Sequence, residues 1–343
     1  VSAPAEPRLA PAPALPRLAR GPLVPMRFAA IWLALAVLLL FCATFVPRSL
    51  VPSSFLAVLP LAAFLAIAAC GEALVLMARG IDLSIPAVIT LASTVVLGVS
   101  HGRDQDMPLA VVAALLAAVA VGLVNGFLVA LLELNALIVT LAVGAVASGL
   151  TLWYRESLPA ESRVPPGLAE WGDWRLLGLN MAVWIAAAVV LVLTVLLRRT
   201  TLGRRFAAMG ANPSAAWIAG INVQAHQLAA FAVAALLYGV AGILLSAFIR
   251  NPTLRVGDPY LLAPIAAAVL GGTAMSGGIG SMVAVAGAAL FLTQLGQALR
   301  ILGLSTALQF LIYGVAIALG MAVAEARLLN RHLGRVFRRL SRR

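Results

Sequence analysis

Three carboxylates, Glu72, Asp82 and Glu133, stand in or beside long apolar runs of the sequence. An acid in such a place is costly in lipid, and where it works it couples solute movement to protons or sodium. The same residues have a plainer reading. Asp82 or Ser84 is placed to cap the helix that follows, with Pro86 in its first turn, and Glu72 and Glu133 fall near span ends where water reaches them. His101, Asp104 and Asp106 carry metal-binding atoms but lack the spacing of a ligand set. No span holds a cluster of His, Cys and acids, or paired carboxylates, so no catalytic group is visible inside the membrane. All 24 basic residues are arginine. A Walker-type phosphate loop needs a lysine, and so does Schiff-base catalysis. Cys42 and Cys70 both lie in apolar stretches and read as packing residues, neither a disulfide nor a metal pair.

The elements that must position these groups are membrane helices. The chain has 343 residues, of which 63% are hydrophobic and 10% charged, and its mean hydropathy is +1.05. That is more apolar surface than one soluble core hides, so the class is an all-α polytopic membrane protein. Runs long enough to span give about ten crossings: 28–46, 55–78, 84–100, 109–132, 136–153, 181–197, 226–249, 260–274, 281–299 and 305–325. The first is too long and too poorly ended for a cleaved signal sequence and reads as a retained helix. The eighth is short, and the glycine-rich run after it suits a broken or re-entrant segment. Residues 1–27, rich in proline and alanine, read as a disordered tail; 28–326 form the membrane domain with a polar loop at 198–225, and 327–343 a basic tail.

The net charge of +12 belongs to topology, not to a nucleic-acid footprint. Ten crossings place both termini on one side. With the termini inside, Arg8, Arg17, Arg20, Arg27, Arg79, Arg198, Arg199, Arg204, Arg205 and the arginines of the C-terminal tail are all cytoplasmic, as the positive-inside rule requires. The arginine-rich tail also suits anionic lipid. Gly122 and Gly126 form a small-xxx-small pair for close helix packing.

Between two of the spans, Asn212 is a helix cap, Pro213 fits the first helical position, and Gly220 can take the left-handed residue that ends the helix. A helix of about seven residues is too short to stand alone in water. It either docks into a partner or lies against its own membrane domain.

Four stretches together resemble the permease subunits of bacterial ABC importers for monosaccharides of the ribose, xylose, arabinose and galactose type. They are Gly80-Ile81-Asp82-Leu83-Ser84; Val124-Asn125-Gly126 with Ile138-Val139-Thr140-Leu141; the loop with Gly203-Arg204, Gly210, Asn212-Pro213, Ala215-Ala216 and Gly220-Ile221-Asn222-Val223; and Ala266-Ala267-Ala268-Val269-Leu270-Gly271-Gly272-Thr273 followed by Gly277-Gly278-Ile279-Gly280-Ser281. The likeness runs from about residue 55 to 325. It departs from many relatives at Arg79, before the first stretch, and at Ile85-Pro86, after it. The superfamily also holds branched-chain amino-acid permeases.

The resemblance implies a passive pathway in the bacterial inner membrane, made by two permease chains, identical or sisters. It would be moved by an ABC ATPase subunit or fused ATPase pair and fed by an extracytoplasmic sugar-binding protein. ATP and magnesium would sit on the ATPase, with no cofactor in this chain. Gly210, Asn212, Pro213, Ala215, Ala216, Gly220 and Ile221 would form the segment that the ATPase grips, with Ala215 and Ala216 small enough to seat closely in a groove. Gly80, Asp82, Ser84, Gly271, Gly272, Gly277 and Gly278 carry the signature. Neutral groups suit a polyol pathway, and the candidates are Asn125, Thr140, Thr293, Gln294, Gln297 and Gln309; each also suits an interhelical hydrogen bond. The segment 154–180 is the longest external loop and is either a docking platform for the binding protein or a solvated loop anchored by Trp171 and Trp174. The rival readings are a branched-chain amino-acid or nucleoside ABC permease and an ion-coupled secondary transporter.

Overall fold

Proline and asparagine open most of the helices. The computed structural model describes residues 26–159 and 162–305, with scattered positions as far as 318. Its helices are α1 Met26–Phe45, α2 Pro52–Met77, α3 Ile85–Ser100, α4 Met107–Gly126, α5 Ala136–Glu156, α6 Pro166–Asp173, α7 Met181–Arg199, α8 Thr201–Ala211, α9 Pro213–Ile218, α10 Val223–Ile249, α11 Ala263–Leu270 and α12 Met282–Ile301. Proline occupies the first or second position of α2, α3, α4, α6, α9 and α11, where its missing N–H costs no helical bond. Asn135, Asn180, Asn212 and Asn222 cap α5, α7, α9 and α10, each side chain accepting a backbone N–H of the first turn. A two-residue antiparallel pair, β1 Arg175–Leu176 with β2 Leu179–Asn180, lies between α6 and α7.

Among the described residues, seven helices are long and apolar enough to cross a membrane, α4 being prolonged by a π turn at Phe127–Leu131. Two shorter apolar stretches, Ile85–Ser100 and Asp258–Leu270, stand where the sequence predicts the third and eighth crossings. The tenth predicted crossing, 305–325, lies largely outside the described residues, as do residues 1–25 and the tail 327–343. At 1.5 Å per residue α3 is about 24 Å long and α11 about 12 Å, short of a hydrocarbon core of about 30 Å.

The centre of the bundle is α2 and α10, each 67% buried, whereas α7 is 17% buried and α4 22%. α10 packs on α2, α3 and α4, and α12 on α2 and α1. Missing side chains allow this closeness. A Cβ on Gly122 would fall 2.5 Å from the Phe231 carbonyl oxygen, and one on Gly242 2.5 Å from that of Ile89. Ser93 adds a polar tie, its hydroxyl reaching the carbonyls of Ile89 and Gly242, both at 2.9 Å. The two ends of the bundle differ. One carries α8 and α9; the other carries α6 and the β1–β2 hairpin.

Candidate functional site

At the α9 end the polar loop folds as its residues dictate. Thr200 caps α8 by accepting Gly203 N–H at 3.1 Å, and the Asn212 side chain caps α9 by accepting Ala215 N–H at 3.1 Å. α9 then ends in a Schellman pair, Ile221 N–H to Ala216 C=O and Gly220 N–H to Trp217 C=O, both 2.9 Å, with Gly220 at φ +78°. Cap, proline and stop glycine are thus where the sequence placed them. Ala216 differs from expectation: it is the one buried residue of α9 and packs against the core of its own chain. What α9 presents outward is Trp217, 73% exposed, and Ile218, 79% exposed. Beside α9 a cavity of about 1030 Å³ opens between Arg79, Glu133, Trp217, Ile221, Gln224 and Gln227.

α8 is set on the end of α2 and on the glycine-rich loop 271–281. Gly278 N–H donates to the Met77 carbonyl at 2.9 Å, and Arg79 Nε donates to the Ser276 carbonyl at 2.9 Å. Gly272, Gly277 and Gly278 all have positive φ. A Cβ on Gly210 would lie 2.0 Å from the Met77 oxygen and 2.5 Å from Gly278 N, and one on Gly277 2.5 Å from the Gly210 oxygen. Gly271 lies close to Val285 of α12, a Cβ there falling 2.7 Å from its backbone. The glycines of the loop and of α8 are therefore one contact, which explains their company in the sequence. Gly80 packs under the Phe231 ring of α10, a Cβ there meeting it at 2.9 Å.

Deeper in the bundle, polar side chains tie five helices. Asp82 Oδ1 accepts both the N–H of Ser84 at 2.8 Å and its hydroxyl at 2.5 Å. Ser84 stands at the N-cap of α3 but makes no side-chain cap bond; its oxygen accepts from Asn125 Nδ2 of α4 at 2.9 Å. Thr140 of α5 accepts Leu83 N–H at 3.0 Å and donates to the Ile81 carbonyl at 3.3 Å. Glu72 of α2 accepts the Tyr238 hydroxyl of α10 at 3.2 Å and Asp82 N–H at 3.4 Å. Glu72 departs from expectation, being wholly buried inside α2 instead of reaching water at a span end. Asp82, Ser84, Asn125 and Thr140 are buried with it. Asp82 Oδ2 and Asn125 Oδ1 have no hydrogen-bond partner.

The other pathway candidates lie on α12. Gln294 is buried, with Nε2 3.9 Å from Cys42 Sγ of α1. Gln297 donates to the Ser54 carbonyl at 3.1 Å, and Thr293 to the Ala289 carbonyl at 2.7 Å. Their partners are within the chain. Gln309 lies outside the described residues. Sequence reasoning missed Tyr238, although a tyrosine in mid-span signals a hydroxyl needing a partner. It also missed Trp217 and Ile218, large apolar residues in a polar loop.

At the α6 end, the predicted platform 154–180 folds as α6 plus the hairpin. Gly172 presses on α10, a Cβ there falling 2.8 Å from Ala247, and Trp184 Nε1 donates to the Leu176 carbonyl at 3.1 Å. Asp104 accepts Gly167 N–H at 2.7 Å and Asp106 pairs with Arg103, so both acids serve local structure.

Long apolar helices in close glycine contact are the architecture of a multi-pass membrane protein. A family model described as branched-chain amino acid transport system / permease component matches residues 54–324, and the chain belongs to that family. Ribose import permease protein RbsC of Escherichia coli (strain K12) is 33% identical over 85% of this chain and 91% of its own. L-arabinose transport system permease protein AraH of the same strain is 31% identical over 84% and 89%, and galactose/methyl galactoside import permease protein MglC 29% over 75% and 82%. No solved structure matches.

Proposed function

We propose that the chain is the permease subunit of an ATP-driven importer, lining the path of a monosaccharide that an extracytoplasmic binding protein delivers and that a separate ATPase drives. The observation that carries the coupling is α9, a six-residue helix capped at both ends whose Trp217 and Ile218 are exposed on the cavity beside it. Such a helix gains nothing from propensity and keeps its form through its caps and its seat on α8. Its apolar end fits a groove on another protein, as helix-in-groove contacts do. Closure of an ATPase pair would push α9, and through the Gly210 contact the push reaches α2 and the loop before α12.

The sugar follows from the relatives, which make ribose, L-arabinose and galactose the three candidates. Orientation follows from charge. Arg79, Arg198, Arg199, Arg204 and Arg205 lie at the α9 end, which makes that end cytoplasmic with both termini, and the α6 end the docking side for the binding protein. Two permease chains, identical or sisters, complete the pathway.

The test is reconstitution of this chain with its candidate ATPase and binding protein in vesicles. ATP-dependent uptake of one of the three sugars, lost when the binding protein is left out, is the expected result. Uptake of leucine in place of sugars would favour the amino-acid reading. Uptake by the chain alone, abolished by an ionophore, would overturn the importer.

A further inference from the structure

After α10 ends at Ile249 the chain does not remain at the α6 end of the bundle. Arg250 is still at that end: its carbonyl accepts Val164 N–H and its guanidinium pairs with Asp173 of α6. Seven residues later Gly257 is wedged against the first turn of α3. A Cβ there would fall 2.1 Å from the Pro86 oxygen and 2.7 Å from Thr90 Oγ1, and Gly257 N–H donates to Thr90 Oγ1 at 3.2 Å. Residues 252–253 carry no regular structure and 254–257 form turns, so the segment descends over less than the ~24 Å that seven fully extended residues would reach.

Two helices measure the depth. Thr90 is ten residues from the end of α3 at Ser100, about 15 Å by helical rise. Gly242, which touches Ile89 at the same level, is seven residues from the end of α10, about 10 Å. With the ends of α3 and α10 taken as the edge of a hydrocarbon core of about 30 Å, Gly257 lies about 10–15 Å inside it.

On this segment Val256 and Tyr260 turn inward and are buried. Arg255 and Asp258 turn outward, with side chains 85% and 51% exposed, and meet each other at 2.7 Å from Nε to Oδ2. Charges exposed at this depth do not face lipid, and irregular backbone there is tolerated only where protein covers it or it lines a water-filled cavity.

We infer that Arg255 and Asp258 form a charged pair on the wall of the translocation pathway, placed to bind hydroxyl groups of a passing polyol; the polyol part rests on the monosaccharide reading above. Their mutual contact uses Nε and one carboxylate oxygen. The terminal guanidinium nitrogens remain as donors and Asp258 Oδ1 as an acceptor, a fixed set that matches a pair of neighbouring sugar hydroxyls.

The test has two arms in the assembled complex in vesicles. In a chain carrying Cys42→Ala and Cys70→Ala, a membrane-impermeant charged thiol reagent added from the α6 side is expected to label Arg255→Cys, as it labels Leu177→Cys in the exposed hairpin, and to leave Leu116→Cys on α4 unlabelled. Asp258→Asn and Arg255→Gln are expected to lower uptake of D-ribose, L-arabinose or D-galactose, whichever the parent carries, about tenfold at limiting sugar. No labelling at position 255 overturns the inference even if the parent transports sugar normally. Parental uptake by both charge variants overturns the contact with sugar. A parent that moves none of the three sugars defeats the monosaccharide reading and the hydroxyl contact together, while labelling at 255 still fixes the pair on an aqueous wall.

Discussion

Gly210 of α8 and Met77 at the end of α2 meet backbone to backbone: a Cβ on Gly210 would lie 2.0 Å from the Met77 oxygen, the same oxygen that accepts Gly278 N–H. Gly210→Ala is therefore expected to force these segments apart and destabilise the protein by about 1–3 kcal/mol, the range for overpacking. Gly149→Ala is the control. A Cβ there has no neighbour within 4 Å, and a helical glycine replaced by alanine gains about 0.5–1 kcal/mol. Thermal unfolding in detergent checks both, and equal midpoints for the two variants would contradict the contact.

Trp217 and Ile218 should matter to coupling and not to folding. Both are largely exposed at the end of α9, so Trp217→Ala and Ile218→Ala are expected to leave the melting midpoint unchanged while reducing ATP-driven uptake at least tenfold, the scale of a lost aromatic anchor of about 2 kcal/mol. Pull-down of the ATPase by the detergent-solubilised permease checks this independently. Ala216→Trp should behave oppositely, lowering stability because Ala216 faces its own bundle.

The cap on α9 gives a smaller effect of known sign. Asn212→Ala removes the acceptor for Ala215 N–H and is expected to cost about 1 kcal/mol of local stability. Faster amide exchange confined to residues 213–219 is the measurement; unchanged exchange would mean that α9 is held from elsewhere. Asn212→Ser, which also caps, should restore protection.

Glu72 and Tyr238 should show strong coupling in a double-mutant cycle. Tyr238→Phe leaves a buried carboxyl oxygen without its donor, costing about 1–3 kcal/mol. Glu72→Leu leaves a buried hydroxyl instead, at a similar cost. The double variant is expected to be less destabilised than the two singles added together. Strict additivity in unfolding measurements would dissociate the pair.

What the sequence revealed was local chemistry. The cap Asn212, the proline starts at Pro86 and Pro213 and the stop at Gly220 are legible because each acts within one turn of chain. The boundaries of α5, α7 and α12 fall within three residues of the predicted ones for the same reason. What stayed hidden depends on partners far along the chain. Glu72 reads as a span-end acid until Tyr238 is seen beside it, and Ala216 reads as an outward face until α8 fixes the rotation of α9. The stretch 250–260 reads as an external loop, and its descent depends on Gly257 meeting Thr90, a contact 167 residues apart that no local pattern encodes. Asn125 and Thr140 were readable as polar groups in lipid, but their bonds to Ser84 and Leu83 required the break between α2 and α3.

The Glu72–Tyr238 bond also has a history in time. The two residues are separated by 166 positions, and translation at about 5–20 residues per second delivers the tyrosine on the order of ten seconds after the acid. During that interval the Glu72 carboxyl has Asp82 N–H within reach, ten residues on, but not the tyrosine hydroxyl. The bond that joins the two central helices can therefore close only late in synthesis, after α10 has been made.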